Sequence, residues 1–458
     1  MYEERARPIL DSLLEVVDWP DAPLDRLEIL DTGLALATDW PVTANAVAAL
    51  AAVGLAASAL HETWTGERRP VRIDTRAAGL AMASSSFLQI DGRSAKFRDP
   101  FTGFYEAAGG EWVFLHGNFP HLQAGLIDLL GASGADDVAR AVRGRDASGI
   151  EDEAIAAGLC AARVRTREEW EAEDHARALR PLPVLGIERI GDAAPRPRGA
   201  GDEPLSGYRM LDLSRVIAGP MAGRTMAEAG ADVLLVSGPG LPSITSLVVD
   251  TGFGKRAAEI DLRSDAGRAL VRQLAAEADV MLDAYRPGAL EGFGLGREAM
   301  MSISPGLVHV DLDAFGPVGP WAGRRGYDSL VQATTGMCRG GREVPANLPC
   351  QPLDYLSGYL AAFGAMLALL RQSKEGGSWS VRLSLAGTAQ WMRQTHDRLG
   401  PETSRPEHGP GIAEIADLLQ DTDTEFGRVR ALRPPLQGPD WRWTSPPVPL
   451  GTNAPEWG

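Results

Sequence analysis

The sequence predicts an α/β protein: a doubly wound parallel sheet in a large domain, with a smaller α+β domain ahead of it. Three observations carry this reading. From Gly207 onward, short apolar β-runs alternate with helices, the pattern of a parallel sheet covered on both faces. Ahead of that, Phe101 to about Ala176 reads as a strand and two helices without the alternation. The 458 residues suffice for two or three domains, and 44% hydrophobic with 23% charged residues is ordinary globular composition.

Taken in order, residues 1 to about 30 set Ile, Leu and Val at helical spacing among Glu, Asp and Arg. This predicts one or two amphipathic helices with a break near Trp19-Pro20. An Ala-rich apolar helix follows from Val42, stops at Thr65-Gly66, and leads into a short strand at Pro70-Val71-Arg72-Ile73-Asp74. Residues 1–98 are therefore a helical lead-in packing on the large domain. The small domain, 99–178, holds strand Glu111-Trp112-Val113-Phe114-Leu115, a helix from Leu122 to Leu130 and a charged helix around Arg165 to Ala178. A linker is expected at 179–204.

The large domain, 205–398, opens with strand Tyr208 to Leu213, a helix across Met221 to Ala229 and strand Asp232 to Val236. A strand-like run at Ala258 to Leu262, a helix from Asp265 to Ala276, and strands at Asp279 to Leu282 and Leu307 to Asp311 continue it. Ligands of such a sheet sit beyond the carboxyl ends of its strands. The glycines of Ala218-Gly219-Pro220 and Gly238-Pro239-Gly240 fall there, but no GxGxxG or GKS/T loop supports a dinucleotide or P-loop site. Gly219-Pro220 serves equally well as a plain helix start. Lys255, Arg256, Arg263 and Arg286 cluster near expected strand ends, where an anionic ligand would find a cationic rim. Residues 399–458 read as a Pro/Gly-rich linker and tail.

The run from Pro352 to Leu370 is an apolar, small-residue helix with one carboxylate, Asp354, at its front edge. An acid there fits two roles, a helix cap or a nucleophile. An internal repeat bears on the choice. Shifting the sequence by 310 residues aligns Ala51, Ala52, Gly54, Leu60, Gly66, Val71, Arg72 and Met82 with Ala361, Ala362, Gly364, Leu370, Gly376, Val381, Arg382 and Met392 without a gap. A second echo pairs Ala178-Leu179-Arg180-Pro181 with Ala431-Leu432-Arg433-Pro434. Asp354 is matched by Ala44, so the first copy of the helix is expected to form without the acid.

The net charge of −16 argues against a nucleic-acid partner or an anionic membrane surface. Cys160, Cys338 and Cys350 show neither CxxC pairing nor metal spacing, so no metal and a reducing, cytoplasmic location are expected. The start Met-Tyr-Glu-Glu-Arg-Ala-Arg is charged, and no segment is expected to reach the unbroken apolar length of a membrane helix.

Six motifs in order carry a resemblance. They are Leu211 to Pro220, Gly254-Lys255-Arg256, Ile260-Asp261-Leu262, Tyr285-Arg286-Pro287-Gly288, Gly326-Tyr327-Asp328 with Gln332-Ala333, and Asp354-Tyr355 with Gly358. Together the chain resembles the family III CoA-transferases, related to formyl-CoA:oxalate CoA-transferase, carnitine CoA-transferase and alpha-methylacyl-CoA racemase. Gly103-Phe104-Tyr105 to Glu169-Trp170-Glu171 is similar to the family's small domain, and Pro446 to Gly451 to its C-terminal tail. Here the small-domain half comes first, so the chain looks like a permuted or partly duplicated member.

The resemblance implies a Rossmann-like CoA-binding large domain. It implies that acyl-CoA and a small carboxylic acid are the substrates, with Asp354 as nucleophile and Asp328 in the acidic position of a second site motif. It implies that Lys255, Arg256, Tyr285, Arg286, Ala218, Gly219 and Tyr327 line the coenzyme A groove, with Tyr285 against the adenine. A homodimer is implied, or a monomer closed on itself. The chemistry agrees: a carboxylate can attack a thioester to give an anhydride and then an aspartyl-CoA thioester, with N–H groups after Asp354 expected to stabilise the oxyanion. Two other readings remain. A racemase-like enzyme would use a His-Asp pair where this chain has Tyr327-Asp328; a CoA-binding pseudoenzyme or partner subunit is motivated by Ile217, Ala284 and an unrecognisable glycine loop after Met392.

Overall fold

A computed structural model describes residues 2–94, 98–196, 201–339, 343–438 and 441–458. Residues 95–97 of the lead-in and 197–200 of the expected linker thus lie outside it. The first part of the chain forms helix α1 (Tyr2–Val16), strand β1 (Leu27–Leu30), helix α2 (Val42–Thr65), strand β2 (Val71–Asp74), helix α3 (Thr75–Ala81) and the short strands β3 (Gln89–Ile90) and β4 (Arg93–Ser94). The small domain follows with β5 (Gly103–Glu106), β6 (Trp112–Leu115), α4 (Pro120–Leu130), α5 (Val138–Arg143), α6 (Ala147–Ala156) and β7 (Ala161–Arg163). Its three strands form one antiparallel sheet. The charged helix expected from Arg165 to Ala178 is two short helices, α7 (Arg167–Ala172) and α8 (Asp174–Leu179), because Glu173 between them is extended at φ −68°, ψ 141°. Strand β8 (Gly186–Gly191) lies in the expected linker.

The large domain runs β9 (Arg209–Leu213), α9 (Ala218–Glu228), β10 (Asp232–Ser237), α10 (Thr245–Gly252), β11 (Arg256–Glu259), α11 (Asp265–Glu277), β12 (Val280–Asp283), α12 (Arg297–Ile303), β13 (Val308–Asp313), α13 (Asp328–Thr334), α14 (Pro352–Glu375), β14 (Ser378–Ser384) and α15 (Leu385–Leu399). The chain ends in β15 (Leu419–Thr424), β16 (Gly427–Leu432) and β17 (Leu436–Gln437), so the segment expected as linker and tail contributes a hairpin and a sheet strand. Strand β11 begins at Arg256, two residues before the run read from sequence.

Seven strands form the main sheet in the order β11-β10-β9-β12-β13-β14-β8, parallel except for β8. The order reverses at β9: β10 and β11 extend to one side, β12 and β13 to the other. This is a doubly wound sheet with a crevice at the carboxyl ends of β9 and β12. Strands such as Met210-Leu211-Asp212-Leu213 are buried on both faces, which is why they read as continuous apolar runs.

The two segments related by the 310-residue offset fold alike. Helices α2 and α14 have 24 residues each, and each is followed by a strand. Strand β14 lies parallel to β13 on one side and antiparallel to β8 on the other; β2 lies parallel to β1 and antiparallel to β17. The return strands are exchanged. β8, which leaves the first segment's small domain, completes the sheet of the second segment, while β17 completes that of the first. The glycine contacts match as well. A Cβ at Gly54 would meet Val71 at 2.4 Å and Leu436 at 3.3 Å; one at Gly364 would meet Val381 at 2.6 Å and Leu185 at 3.0 Å.

Helices α2 and α14 pack on each other in one large core that also takes in α1, α9 and the main sheet. Contrary to expectation, both reach the length and apolarity of a membrane span; 94% and 100% of their most apolar windows are buried within the protein. The glycine contacts give a direct test of the matched packing. Gly364→Ala and Gly54→Ala should each cost about 1–3 kcal/mol, because the new methyl meets a β-branched neighbour fixed in a sheet. Urea unfolding midpoints measure this, and adding Val381→Ala to Gly364→Ala should recover part of the loss.

Candidate active site

Helix α14 starts at Pro352, and Asp354 is its third residue. The first-turn N–H groups of a buried helix need acceptors, and here Asp328 supplies them. Its Oδ2 accepts from Leu353 N at 2.7 Å and Asp354 N at 3.0 Å, while Gln332 Nε2 donates to Oδ1. Gln332 is held in turn by Leu348 N, which donates to its Oε1 at 2.9 Å. Asp354 is therefore not the cap, and no described residue donates a hydrogen bond to its carboxylate. Asp328 is 2% exposed and Asp354 7%.

Burial pushes both carboxyls upward. Three donors oppose the shift at Asp328, so it ionises more readily, and its charge raises Asp354 further. The expectation that N–H groups just after Asp354 stabilise an oxyanion does not hold. Leu353 N and Asp354 N are taken by Asp328, and Tyr355 N donates to Gln351 O at 3.1 Å. Tyr355 is itself locked: its hydroxyl lies 3.1 Å from Asp250 Oδ2 and accepts from Ser85 N at 3.1 Å.

The start of α9 lies one turn along α14 from Asp354. A Cβ at Gly358 would stand 2.6 Å from Met221 Cβ and 2.7 Å from Ala218 O, so only glycine allows the two helices to approach this closely. Gly219 is also packed tight, 2.4 Å from Ser214 Cβ and 2.8 Å from Ala284 Cβ by the same construction. The loop between β9 and α9 carries Val216 at φ 72°, a left-handed conformation that a β-branched residue adopts only under constraint. Val216 packs with Phe119, Leu330 and Tyr327, where the small domain meets the large one.

The small domain closes the site from the other side. Tyr327, at the cap of α13, stacks on His116 with ring centroids 4.0 Å apart and planes 5° apart; Phe119 lies 6.1 Å away. Burial, followed by the nearby Arg98 guanidinium, holds the His116 imidazole down at about 3, so it is neutral. Sequence reading missed His116 and Phe119, and it quoted Gln332 and Val216 within motifs without giving them a role. The first two lie over 200 residues from Tyr327 in the chain, and nothing in their local pattern marks them.

The groove residues fall into two sets. Tyr285 lines an apolar cavity of about 250 Å³ with Leu213, Val236, Ile260 and Phe293, at the carboxyl ends of the strands. This cavity shares Ser237 and Leu241 with a second one that reaches Ser214, Val216 and Pro220 at the start of α9. Arg286 lines a separate cavity of about 280 Å³ together with Arg324 and Arg325.

Lys255 and Arg256 do not line the groove. Lys255 is 2% exposed, its Nζ 3.0 Å from Asp212 Oδ2 and 3.0 Å from Pro220 O, and it ties β9 to α9. A Cβ at Gly223 would stand 2.4 Å from that carboxylate. Arg256 stands at the amino end of its strand, paired with Asp232 at 2.8 Å, the wrong end of a parallel sheet for a ligand. Among the described residues, no group of three or more His, Cys, Asp or Glu side chains is arranged to hold a metal. Lys255→Met should therefore destabilise the fold by about 3–5 kcal/mol, by stranding the Asp212 charge. Chemical denaturation measures the loss.

Comparison with known proteins fits this arrangement. Residues 205–409 match the family model described as CoA-transferase family III. The probable fatty acyl-CoA transferase Rv3272 of Mycobacterium tuberculosis is 30% identical over 229 residues, 45% of this chain and 58% of that protein. Its crystal structure in an orthorhombic form covers 43% of this chain and 58% of its own, at 32% identity and a TM-score of 0.41. An acyl-CoA transferase of Gibberella moniliformis is 28% identical over 501 aligned positions, spanning 90% of this chain and 87% of its own length. The chain thus spans less than two thirds of the mycobacterial relative and most of the fungal one. Residues 205–409 are thus similar to CoA-transferase family III, and the similarity to the fungal acyl-CoA transferase extends over most of the chain.

Proposed function

We propose that the chain moves CoA from an acyl-CoA to a small carboxylic acid, with Asp354 as the nucleophile. One observation carries the reading: a buried acid in the first turn of α14 whose capping role is filled by Asp328, so that its own carboxylate is left without a hydrogen-bond donor among the described residues. An acid kept only for helix stability would accept the N–H bonds itself.

Ionised Asp354 attacks the thioester carbonyl, the thiolate leaves, and a mixed anhydride forms. The thiolate then attacks the aspartyl carbonyl, releasing the donor's carboxylate and leaving an aspartyl-CoA thioester. The acceptor acid reverses both steps. Each addition develops an oxyanion, and the N–H groups of Ala218 and Gly219 are its donors in this proposal. They open α9 beside the Asp354 turn and have no acceptor among the described backbone carbonyls. Tyr285 and its apolar cavity take the adenine, and the groove past Ser237 and Leu241 leads the pantetheine arm toward Val216. Arg286, with Arg324 and Arg325, provides positive charge for the phosphates.

The working unit in this proposal is one chain, partly duplicated and closed on itself. Support comes from the exchanged strands β8 and β17, and from His116 and Phe119 of the first half meeting Tyr327 of the second.

Incubation with acyl-CoA and hydroxylamine should inactivate the enzyme and leave a hydroxamate at Asp354, read by mass spectrometry. Asp354→Ala should lower turnover to below roughly one thousandth; full activity in that variant would refute the role. The pH dependence has a defined sign. Burial and the Asp328 charge raise the Asp354 pKa, and only the ionised form attacks, so the rate falls with acid at a pH above the usual carboxylate range. Asp328→Asn removes that neighbouring charge and should move the acid limb of kcat/KM to lower pH while lowering its plateau.

A further inference from the structure

The acceptor in the proposed reaction is a carboxylate, and a carboxylate bound out of water needs a hydrogen-bond donor. The backbone donors around Asp354 are spent. Leu353 N and Asp354 N bond Asp328, Tyr355 N bonds Gln351 O, and the N–H groups that open α9 serve the oxyanion in the reading above.

His116 is the unspent group. It follows strand β6, and its backbone N donates to Cys160 O at 3.0 Å. The residue after it is fixed as well: Gly117 N donates to Thr102 Oγ1 at 3.0 Å, and a Cβ at Gly117 would stand 2.3 Å from the Phe101 ring. The imidazole lies flat on Tyr327, with ring centroids 4.0 Å apart. Tyr327 immediately precedes Asp328, whose Oδ2 holds Asp354 N at 3.0 Å. Phe119, three residues on from His116, packs on the same tyrosine and lines the cavity that reaches Ser214, Val216 and Pro220. Direct contacts through Tyr327 therefore place the imidazole beside both the carboxyl pair and the inner end of the pantetheine groove. The residue is 5% exposed, yet Nδ1 is enclosed without a hydrogen-bond partner and no described residue bonds Nε2. A phenyl ring would stack on Tyr327 without burying two unpaired nitrogens, so an imidazole here points to a ligand that pairs with it. The neutral ring has one N–H to give. With Nδ1 walled in, Nε2 is the edge left for that ligand.

We propose that the Nε2–H of His116 donates to the carboxylate of the incoming acid in the second half of the transfer; this rests on the CoA-transferase reading above. With one oxygen of the acid held by the imidazole, the other attacks the carbonyl of the aspartyl-CoA thioester. A C–O bond forms, the C–S bond breaks, and the thiolate departs. Thiolate then attacks the acid's carbonyl in the new anhydride, breaks its bond to the Asp354 oxygen, and leaves acyl-CoA and the free Asp354 carboxylate. The imidazole keeps its proton throughout, and no oxidant or reductant is consumed. The hydrogen bond is strongest to the free carboxylate, which carries the full charge, and weaker to the neutral carbonyl of the anhydride.

The test separates the two half-reactions. Any acyl-CoA that yields the hydroxamate supplies its own probe, because its parent acid, isotope-labelled, must exchange back into it. His116→Phe keeps the stack on Tyr327 and removes the N–H. It should raise KM for the labelled acid about tenfold or more, and leave KM for the acyl-CoA and the rate of hydroxylamine inactivation within about twofold of the parent, since neither needs an acceptor. His116→Gln carries an amide N–H toward the place of Nε2 and should recover part of the lost acid affinity. His116→Asn, whose amide reaches only as far as Nδ1, should not. Circular dichroism confirms that each variant is folded. Histidine nitrogen NMR of the parent reads the same contact without a variant: adding the acid with free CoA should shift the Nε2 signal of His116. An unchanged KM for the acid in His116→Phe, an equal loss in the acyl-CoA half-reaction, or an unmoved Nε2 signal overturns the assignment to His116. Absence of hydroxamate at Asp354 in the parent overturns the transferase reading itself, so the two failures are distinct.

Discussion

Helix α14 is apolar all round, and an apolar helix of 24 residues has to be enclosed on every side. Most of the molecule serves that constraint. Helix α9 covers one face through the close approach at Gly358, strands β13 and β14 cover another, and α15 and α2 close the remainder. Helix α2 has the same need, and the two helices meet it partly by packing on each other. A large domain without the first segment would leave an apolar stripe of α14 in water. The exchanged strands β8 and β17 fasten the two segments so that this face stays covered.

Enclosure has a consequence at the helix start. N–H groups that water would satisfy at a surface need protein acceptors when buried. The chain resolves this by bringing Asp328 from α13 against the first turn, supported by Gln332, with Cys350 O 3.4 Å from the Gln332 amide. The division of labour is electrostatic. One carboxylate is solvated by three donors and keeps its charge, and the other is left without donors beside it, in a state that costs free energy. Asp250, Ser84 and Ser85 hold Tyr355, the next residue, so the turn carrying Asp354 cannot rotate away from α9.

Much of the sheet was legible because buried parallel strands are written as contiguous apolar runs, and β9, β10, β12 and β13 lie within a residue or two of their expected places. Helices α10 and α12 were not, since eight and seven residues are too few to show a period. β17 is two residues long and becomes a strand only because β2 is there to receive it. At the site, what was legible is that the helix does not need Asp354 as its cap, because the matching helix forms with Ala44 in that place and Asp328 accepts the first-turn N–H groups here. Lys255 misled, since its motif gives no sign that Asp212, 43 residues earlier, would bury it in an ion pair.

The contrast between Lys255 and Arg98 shows why charge in a sequence is a weak guide to a ligand. Lys255 sits in a recognisable motif and spends its charge on the fold, holding the β9–α9 junction against Asp212 and Pro220. Arg98 sits in no motif and has no described carboxylate partner. A buried cation must be paired, because an isolated charge in a low-dielectric interior is prohibitive, so its partner is fixed before any substrate arrives. An exposed cation is under no such demand, and its charge stays available. Burial, more than sequence position, therefore decides which basic residues hold the protein together and which remain free to meet an anion.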